Sequence, residues 1–297
     1  MTNAITDNPA ADLSIIVPTL NEERNLQRLL QSIRSQGRTP REVIVVDQAS
    51  TDRTRDVAET YGCIVVQVPP SRFYSPPARS RNVGAGAANG RYLVHLDADM
   101  ELPDPHFLER LEALFDDQHR AVVVHERDVP LGFWGRLKAL ERESYWNSPV
   151  EAARASTREL FEEVGGYDER ISSGEDFWIA DCYAQRTTIA SADNLWVLHH
   201  TGRPTLRRLL RKKFSYGRTV SEYLQRKGTT ARGRPSSYVW TCIRAYARRP
   251  GQTLRHPVRF FAMVLLRLLE LSAVAAGMTV QKMIDVSSTA RGRRRQP

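Results

Sequence analysis

Cysteine is scarce in this chain: Cys63, Cys182 and Cys242 are the only three in 297 residues, far apart and odd in number. They offer neither a disulfide framework nor a thiolate metal site, which suits a reducing compartment. The opening Met-Thr-Asn-Ala-Ile-Thr-Asp-Asn-Pro has no basic flank and no apolar core, so no secretory signal is read there. No internal repeat is present, and low complexity is confined to the Arg291-Gly-Arg-Arg-Arg end. Acidic residues nearly vanish from the last third. Residues 203–297 hold 22 Lys+Arg against Glu222, Glu270 and Asp285, a formal +19, whereas residues 1–202 carry −10. Asymmetry of that size marks a tail that meets a polyanion, either a membrane surface or nucleic acid. What is present in quantity is apolar: 41% of the residues are hydrophobic, ample for a core, and wholesale disorder is excluded.

The apolar runs alternate with helical patterns. Leu13-Ser-Ile-Ile-Val-Pro18 reads as a buried strand, and Asn21 as the cap of a helix carrying Leu26, Leu29, Leu30 and Ile33 on one face. Glu42–Val46 is a second strand, Asp52 opens a second helix, and Cys63–Val68 is a third strand. Strand, helix, strand, helix, strand at this spacing predicts a parallel sheet with crossover helices. A Pro-rich loop at 69–77, a small-residue helix at 78–90 and a strand at 91–96 follow. Further on, the pattern predicts a helix at 104–120, a strand at 121–124, an irregular or partly helical stretch at 130–150, a helix at 175–186 and a strand at 194–198.

Asp97-Ala98-Asp99 sits where the fourth strand ends. Alternate strand residues share a face, so the two carboxylates are expected side by side with Ala98 turned away. Paired hard oxygen donors at a strand's carboxyl end can hold a divalent cation and, through it, a diphosphate. Arg79 and Arg81 lie in the turn before the small-residue helix, and guanidinium forks suit phosphate oxygens. The carboxyl ends of the first two strands, Pro18-Thr19-Leu-Asn21-Glu22 and Asp47-Gln48, fall where nucleotides settle in parallel sheets.

Taken in order, Ser14-Ile-Ile-Val-Pro-Thr-Leu-Asn-Glu-Glu23, Val45-Val-Asp-Gln-Ala-Ser-Thr-Asp52, Ala78-Arg-Ser-Arg-Asn-Val-Gly84, Asp97-Ala-Asp99, Val164-Gly-Gly-Tyr-Asp168, Gly174-Glu-Asp176 and Val197-Leu-His199 resemble the motifs of family-2 glycosyltransferases of GT-A fold. The resemblance spans residues 13–200. It implies an α/β fold with a mostly parallel, Rossmann-like sheet that binds a nucleotide sugar. Thr19 and Glu22 would line the nucleoside site; Asp99 would bind Mn²⁺ or Mg²⁺ directly, with Asp97 at the ribose or the metal's water, and His199 would complete the coordination. Asp176 would be the general base of an inverting transfer, supported by Glu175. One departure stands out: where the family has a second acid and a glycine after Asp47, this chain has Gln48 and Ala49.

The expected organisation is a flexible N-terminus over 1–12, a catalytic domain over 13–203, a basic helical region over 204–288 and a disordered basic end over 289–297. Leu206, Leu209, Leu210 and Phe214 recur at helical spacing among cations, as an interfacial helix requires. Residues 260–280 are long enough to span a bilayer, but Arg267 and Glu270 near the middle make spanning costly and favour an in-plane helix. The function expected is transfer of a sugar, from a UDP-sugar first, to a lipid-linked or envelope-glycan acceptor at the cytoplasmic face of the membrane, attached peripherally or through an embedded C-terminal helix. The competing expectations are a non-catalytic nucleotide-sugar binder and a nucleic-acid-associated protein; the tail's amphipathic order disfavours the latter.

Overall fold

The computed structural model describes residues 11–69, 77–144, 151–171, 174–230 and 257–293. Eight strands form one sheet in the order β3-β2-β1-β4-β7-β6-β8-β5. These are β1 (Ala11–Thr19), β2 (Pro40–Asp47), β3 (Ile64–Gln67), β4 (Tyr92–His95), β5 (Met100–Glu101), β6 (Ala121–Asp128), β7 (Ala155–Thr157) and β8 (Ile189–His199). The first four pair in parallel, β7 runs antiparallel between β4 and β6, and β6 pairs in parallel with β8. The helices are α1 (Glu23–Arg34), α2 (Thr54–Thr60), α3 (Pro77–Ala87), α4 (Phe107–Glu112), α5 (Gly132–Ser144), α6 (Arg158–Glu163), α7 (Glu175–Ala184), α8 (Leu206–Thr230) and α9 (Pro257–Arg293).

Both faces of the sheet are covered, which is why its central strands are continuous β-branched runs rather than alternating ones. Leu13, Ile15 and Val17 of β1 point into one core with Leu26, Leu29 and Ile33 of α1 and Phe107, Leu108 and Leu111 of α4. Ile16, Ile44 and Val46 point into the other, against Ala78 and Ala85 of α3, Phe161 of α6 and Tyr183 of α7. Each fully buried Leu or Ile contributes roughly 1.5–3 kcal/mol. The small residues of α3 let it lie almost on the strands: a Cβ at Gly84 would stand 2.4 Å from Ile16 Cγ2.

Several expectations need correction. Ala11 is fully buried in β1, so order begins before residue 13, and α9 runs to Arg293, four residues past the expected start of the disordered end. Residues 1–10 and 294–297 lie outside the described residues. The helix expected over 104–120 stops at Glu112, and residues 116–119 form a turn in which Asp116 accepts from the backbone N–H of Gln118 and His119. The stretch 132–144 is a regular helix. The bridging strand β7, the short β5 and the helix α6 were not read from the sequence.

Candidate functional site

The carboxyl ends of β1, β2 and β4 open into one crevice, and its floor is two loops laced together. Asn21 does not cap α1. It sits at φ 55°, where its Oδ1 accepts from the Thr51 N–H at 2.8 Å and its own N–H donates to Ser50 Oγ at 2.8 Å. The Glu22 and Glu23 N–H groups donate to Thr54 Oγ1 and Asp52 Oδ2, so Asp52 serves the first turns of both α1 and α2. Asp47 is fully buried and accepts from the Ser50 N–H at 3.1 Å, closing the turn after β2. Ala49 takes φ 61° here, a conformation that favours glycine.

This lacing reassigns some of the sequence-predicted contacts. Thr19 is sealed inside, its hydroxyl donating weakly to the Val46 carbonyl at 3.4 Å, and Asn21 is spent on the neighbouring loop, so neither side chain lines an open nucleoside site. Pro18 is half-buried in β1 and Gln48 is buried, its N–H donating to the Thr19 carbonyl at 2.9 Å. Glu22 is half-buried and faces the acids across the crevice: burial, and then the negative charge of Asp99, raise its carboxyl above the usual value against a hydrogen bond from Asn25.

Asp97 and Asp99 are not strand neighbours. β4 ends at His95, and residues 97–100 form a turn in which the Met100 N–H donates to the Asp97 carbonyl at 3.0 Å. The two carboxylates have different partners. Asp97 Oδ1 accepts from Arg81 Nη2 at 2.9 Å and Oδ2 from Arg154 Nη2 at 3.1 Å. Burial alone would raise the Asp97 carboxyl, but the two guanidinium groups hold it well below the usual range. Each Asp97 oxygen thus meets one guanidinium, which ties this carboxylate to the arginines on both sides of it. Ala98 is buried, as expected of the residue turned inward.

Asp99 instead meets His199, whose Nε2 lies 3.3 Å from Asp99 Oδ2. The pair is fixed by backbone: β5 and β8 are antiparallel with Met100 opposite His199, and the His200 N–H donates to the Asp99 carbonyl at 2.7 Å. His199 Nδ1 donates to Glu126 Oε2 at 3.1 Å, which leaves Nε2 as the nitrogen facing Asp99. Burial disfavours the charged ring, yet hydrogen bonds to Asp99 and Glu126 carry the His199 pKa to about 10. His200 turns elsewhere and donates to Glu101 at 2.6 Å.

Arg81 is the hub. Its side chain is 3% exposed, and Nη1 donates to Asp176 Oδ1 at 2.9 Å and Glu175 Oε1 at 3.1 Å while Nη2 holds Asp97. Enclosed by three acids, it positions carboxylates rather than reaching for a phosphate, contrary to expectation; Arg79 is exposed on the first turn of α3. Glu175 and Asp176 open α7 after Gly174 at φ 90°. Burial, reinforced by Asp176, raises the Glu175 carboxyl despite Arg81.

The sequence reading missed the second half of this network. Arg154 donates to Glu126 Oε1 at 2.6 Å as well as to Asp97, and Arg142 of α5 donates to Glu126 Oε2 at 2.6 Å and pairs with Asp128 at 2.7 Å. Glu126 and Asp128 stand two apart at the carboxyl end of β6, the same signature that drew attention to Asp97 and Asp99. One chain of ion pairs therefore runs from Asp176 through Arg81, Asp97, Arg154 and Glu126 to His199 and Asp99. Among the described residues no three His, Cys, Asp or Glu side chains converge closely enough to hold a metal by themselves. The arrangement sets the Asp99 carboxylate against the His199 ring and, across the arginines, fixes the Asp176 carboxylate through one oxygen.

The model of the family described as Glycosyl transferase family 2 matches residues 14–214. Curated relatives include an O-antigen chain rhamnosyltransferase of Salmonella anatum, 26% identical over 56% of this chain and 59% of its own, and succinoglycan biosynthesis protein ExoA of Rhizobium meliloti, 27% identical over 54% of each. The match thus spans little more than half the length of these relatives. Among solved structures, a mannosyltransferase from Pyrobaculum calidifontis in complex with GDP-Man and Mn²⁺ superposes with a TM-score of 0.58 at 21% identity, over 95% of this chain and 81% of that one. Residues 1–349 of S. aureus TarS in complex with UDP-GlcNAc give 0.52 at 18% identity, over 93% of this chain and 92% of that one. These likenesses show the GT-A fold. With that fold and a family match across two thirds of its length, the chain belongs to glycosyl transferase family 2.

Proposed function

We propose that this enzyme moves a sugar from a nucleotide-sugar donor, a UDP-sugar before a GDP-sugar, to a lipid-linked or envelope-glycan acceptor by a single inverting displacement. The observation that carries the reading is the linkage of Asp176 to the Asp99–His199 pair by one set of buried ion pairs. The names of the relatives, an O-antigen rhamnosyltransferase and a succinoglycan biosynthesis protein, support an envelope or exported-glycan acceptor. The neighbours bound to UDP-GlcNAc and to GDP-Man support the donor class.

In this mechanism Asp176, held by Arg81 through Oδ1, takes the acceptor hydroxyl's proton on its other oxygen. The new bond forms between the acceptor oxygen and the anomeric carbon as the bond to the diphosphate oxygen breaks. Glu175 backs Asp176, and Asp97 keeps Arg81 and Arg154 in place. Glu22 borders the nucleoside above the buried turn that Asp47 and Gln48 shape, and Arg79, exposed on α3, reaches for the donor. The donor set fits a hard divalent cation: Asp99 Oδ2 and His199 Nε2 face each other, and Glu126 fixes the ring as an outer partner of a metal-bound histidine does. Asp99 and His199 would hold such a cation beside the donor's diphosphate. Mn²⁺ or Mg²⁺ bound there would neutralise charge on the leaving diphosphate.

The working division is a catalytic unit over 13–203 and a basic helical region from 204, with the enzyme at the cytoplasmic face of the membrane. The test is turnover of a panel of nucleotide sugars with Mn²⁺. Asp176→Asn and Asp99→Ala are each expected to lower kcat by about a thousandfold or more. A variant of either kind that keeps wild-type turnover defeats the proposal.

A further inference from the structure

The apolar stripe expected on α8 is used internally. Leu206 and Leu209 pack with Trp134, Leu137 and Leu140 of α5 and Phe260, Met263 and Leu266 of α9. The two long helices then touch backbone to backbone. A Cβ at Gly217 would lie 2.0 Å from the Val274 carbonyl oxygen, and one at Gly277 would lie 2.1 Å from that of Phe214. Arg218 donates to Gln281 at 3.2 Å, so the contacts advance in the same sense along both helices. Outward, α9 shows Val258 (80% exposed), Phe261 (70%), Leu265 (59%), Leu268 (57%) and Met283 (66%). Beside it α8 exposes Arg207, Arg208, Arg211 and Arg218.

The charges inside the apolar run face the other way. Arg267 donates to Glu141 at 3.0 Å and to Glu270 at 3.2 Å, and Lys138 bonds Glu141 and reaches Glu270 at 3.2 Å. Glu270 is 1% exposed. The middle of the apolar run of α9, residues 257–284, is thereby fastened to α5, the helix whose Arg142 holds Glu126 and Asp128. Residues 257–284 are apolar and long enough to cross a membrane. Were α9 to cross, however, its middle would sit about 15 Å deep in hydrocarbon and take Lys138 and Glu141 with it.

We propose that α9 lies in the plane of an anionic bilayer, its Val258–Phe261–Leu265–Leu268 stripe in the acyl boundary and the α8 arginines on the headgroups, and that it does not span. The occupant is lipid rather than a second copy of the chain, because pairing two such faces would bring two rows of arginines together. This deepens the membrane-surface reading above but is independent of the transfer chemistry.

The test is flotation of the full chain with vesicles of phosphatidylcholine, with and without about one third phosphatidylglycerol. Binding to the anionic vesicles is expected. Phe261→Ser, Leu265→Ser and Leu268→Ser combined should lower it at least about tenfold while donor hydrolysis persists. Arg207→Gln, Arg208→Gln and Arg211→Gln combined should lower it on anionic vesicles alone. In a background with Cys63, Cys182 and Cys242 replaced by serine, Arg259→Cys and Lys282→Cys should both react with an impermeant maleimide added outside sealed vesicles. Labelling of only one of the two would mean that α9 spans and would overturn the proposal. So would a chain that ignores both kinds of vesicle, or one that dimerises in lipid-free buffer through the stripe that the triple serine variant removes.

Discussion

The crevice and the helix pair handle charge in opposite ways. In the crevice, arginines are buried among acids: Arg81 serves three carboxylates and Arg154 two. In the helix pair most cations are exposed, and the few inside are gathered at one junction with α5. The first arrangement fixes carboxylates at defined separations, as group transfer requires. The second leaves a field for an external anion. The net charge of +9 is thus the sum of two differently built regions rather than a property of one surface.

The sharpest way to break the contrast is Arg81→Leu. Three acids would lose their shared cation, and the variant should be destabilised by roughly 3–5 kcal/mol in urea titration. The equivalent loss of an exposed cation, Arg208→Leu, should change stability by under about 0.5 kcal/mol. Next in size is Glu126→Gln, which frees the His199 ring. Titration of Mn²⁺ into the donor assay should show affinity lower by about 10–100-fold with the fold intact. Gly217→Ala forces α8 and α9 apart and should cost about 1–3 kcal/mol, read as a lower Tm together with weaker vesicle binding.

The smallest effect concerns Lys213. Burial, with Lys138 nearby, brings its pKa down to about 8 against the partial support of Glu270. Below that pH the folded state carries an unfavourable buried charge. The unfolded chain binds more protons between pH 8 and the ordinary lysine value, so stability should rise with pH across that window. Lys213→Met should raise Tm by a few degrees at neutral pH and flatten this dependence. A flat wild-type profile from pH 8 to 10 would count against the assignment.

Much of this molecule is legible from its residues. The β-branched runs, the Leu26–Ile33 face and the small residues of α3 each carry their own geometric signal, and the parallel half of the sheet follows from them. The site was legible as a set of acids but not as a set of pairs. Arg154 sits in no periodic pattern, and its partners Asp97, in the turn after β4, and Glu126, in β6, are separated in the sheet by β7, so only the tertiary register brings them together. Asp97 and Asp99 were read as strand neighbours because Leu93–Leu96 continues the apolar run; the turn at 97–100 separates them instead. In α8 the periodicity marks the apolar face but not its partner, since a sequence pattern is silent about whether protein or lipid covers that face.

The pairing of β5 with β8 has one more consequence. Asp99 and His199 are made a hundred residues apart, and their cross-strand contact needs the last strand of the sheet to slot between β6 and β5. A nascent chain whose residue 199 is still inside the ribosomal exit tunnel has made Asp99 but cannot yet place His199 beside it. Register in the second half of the sheet, and not any local motif, therefore decides whether these two side chains ever meet.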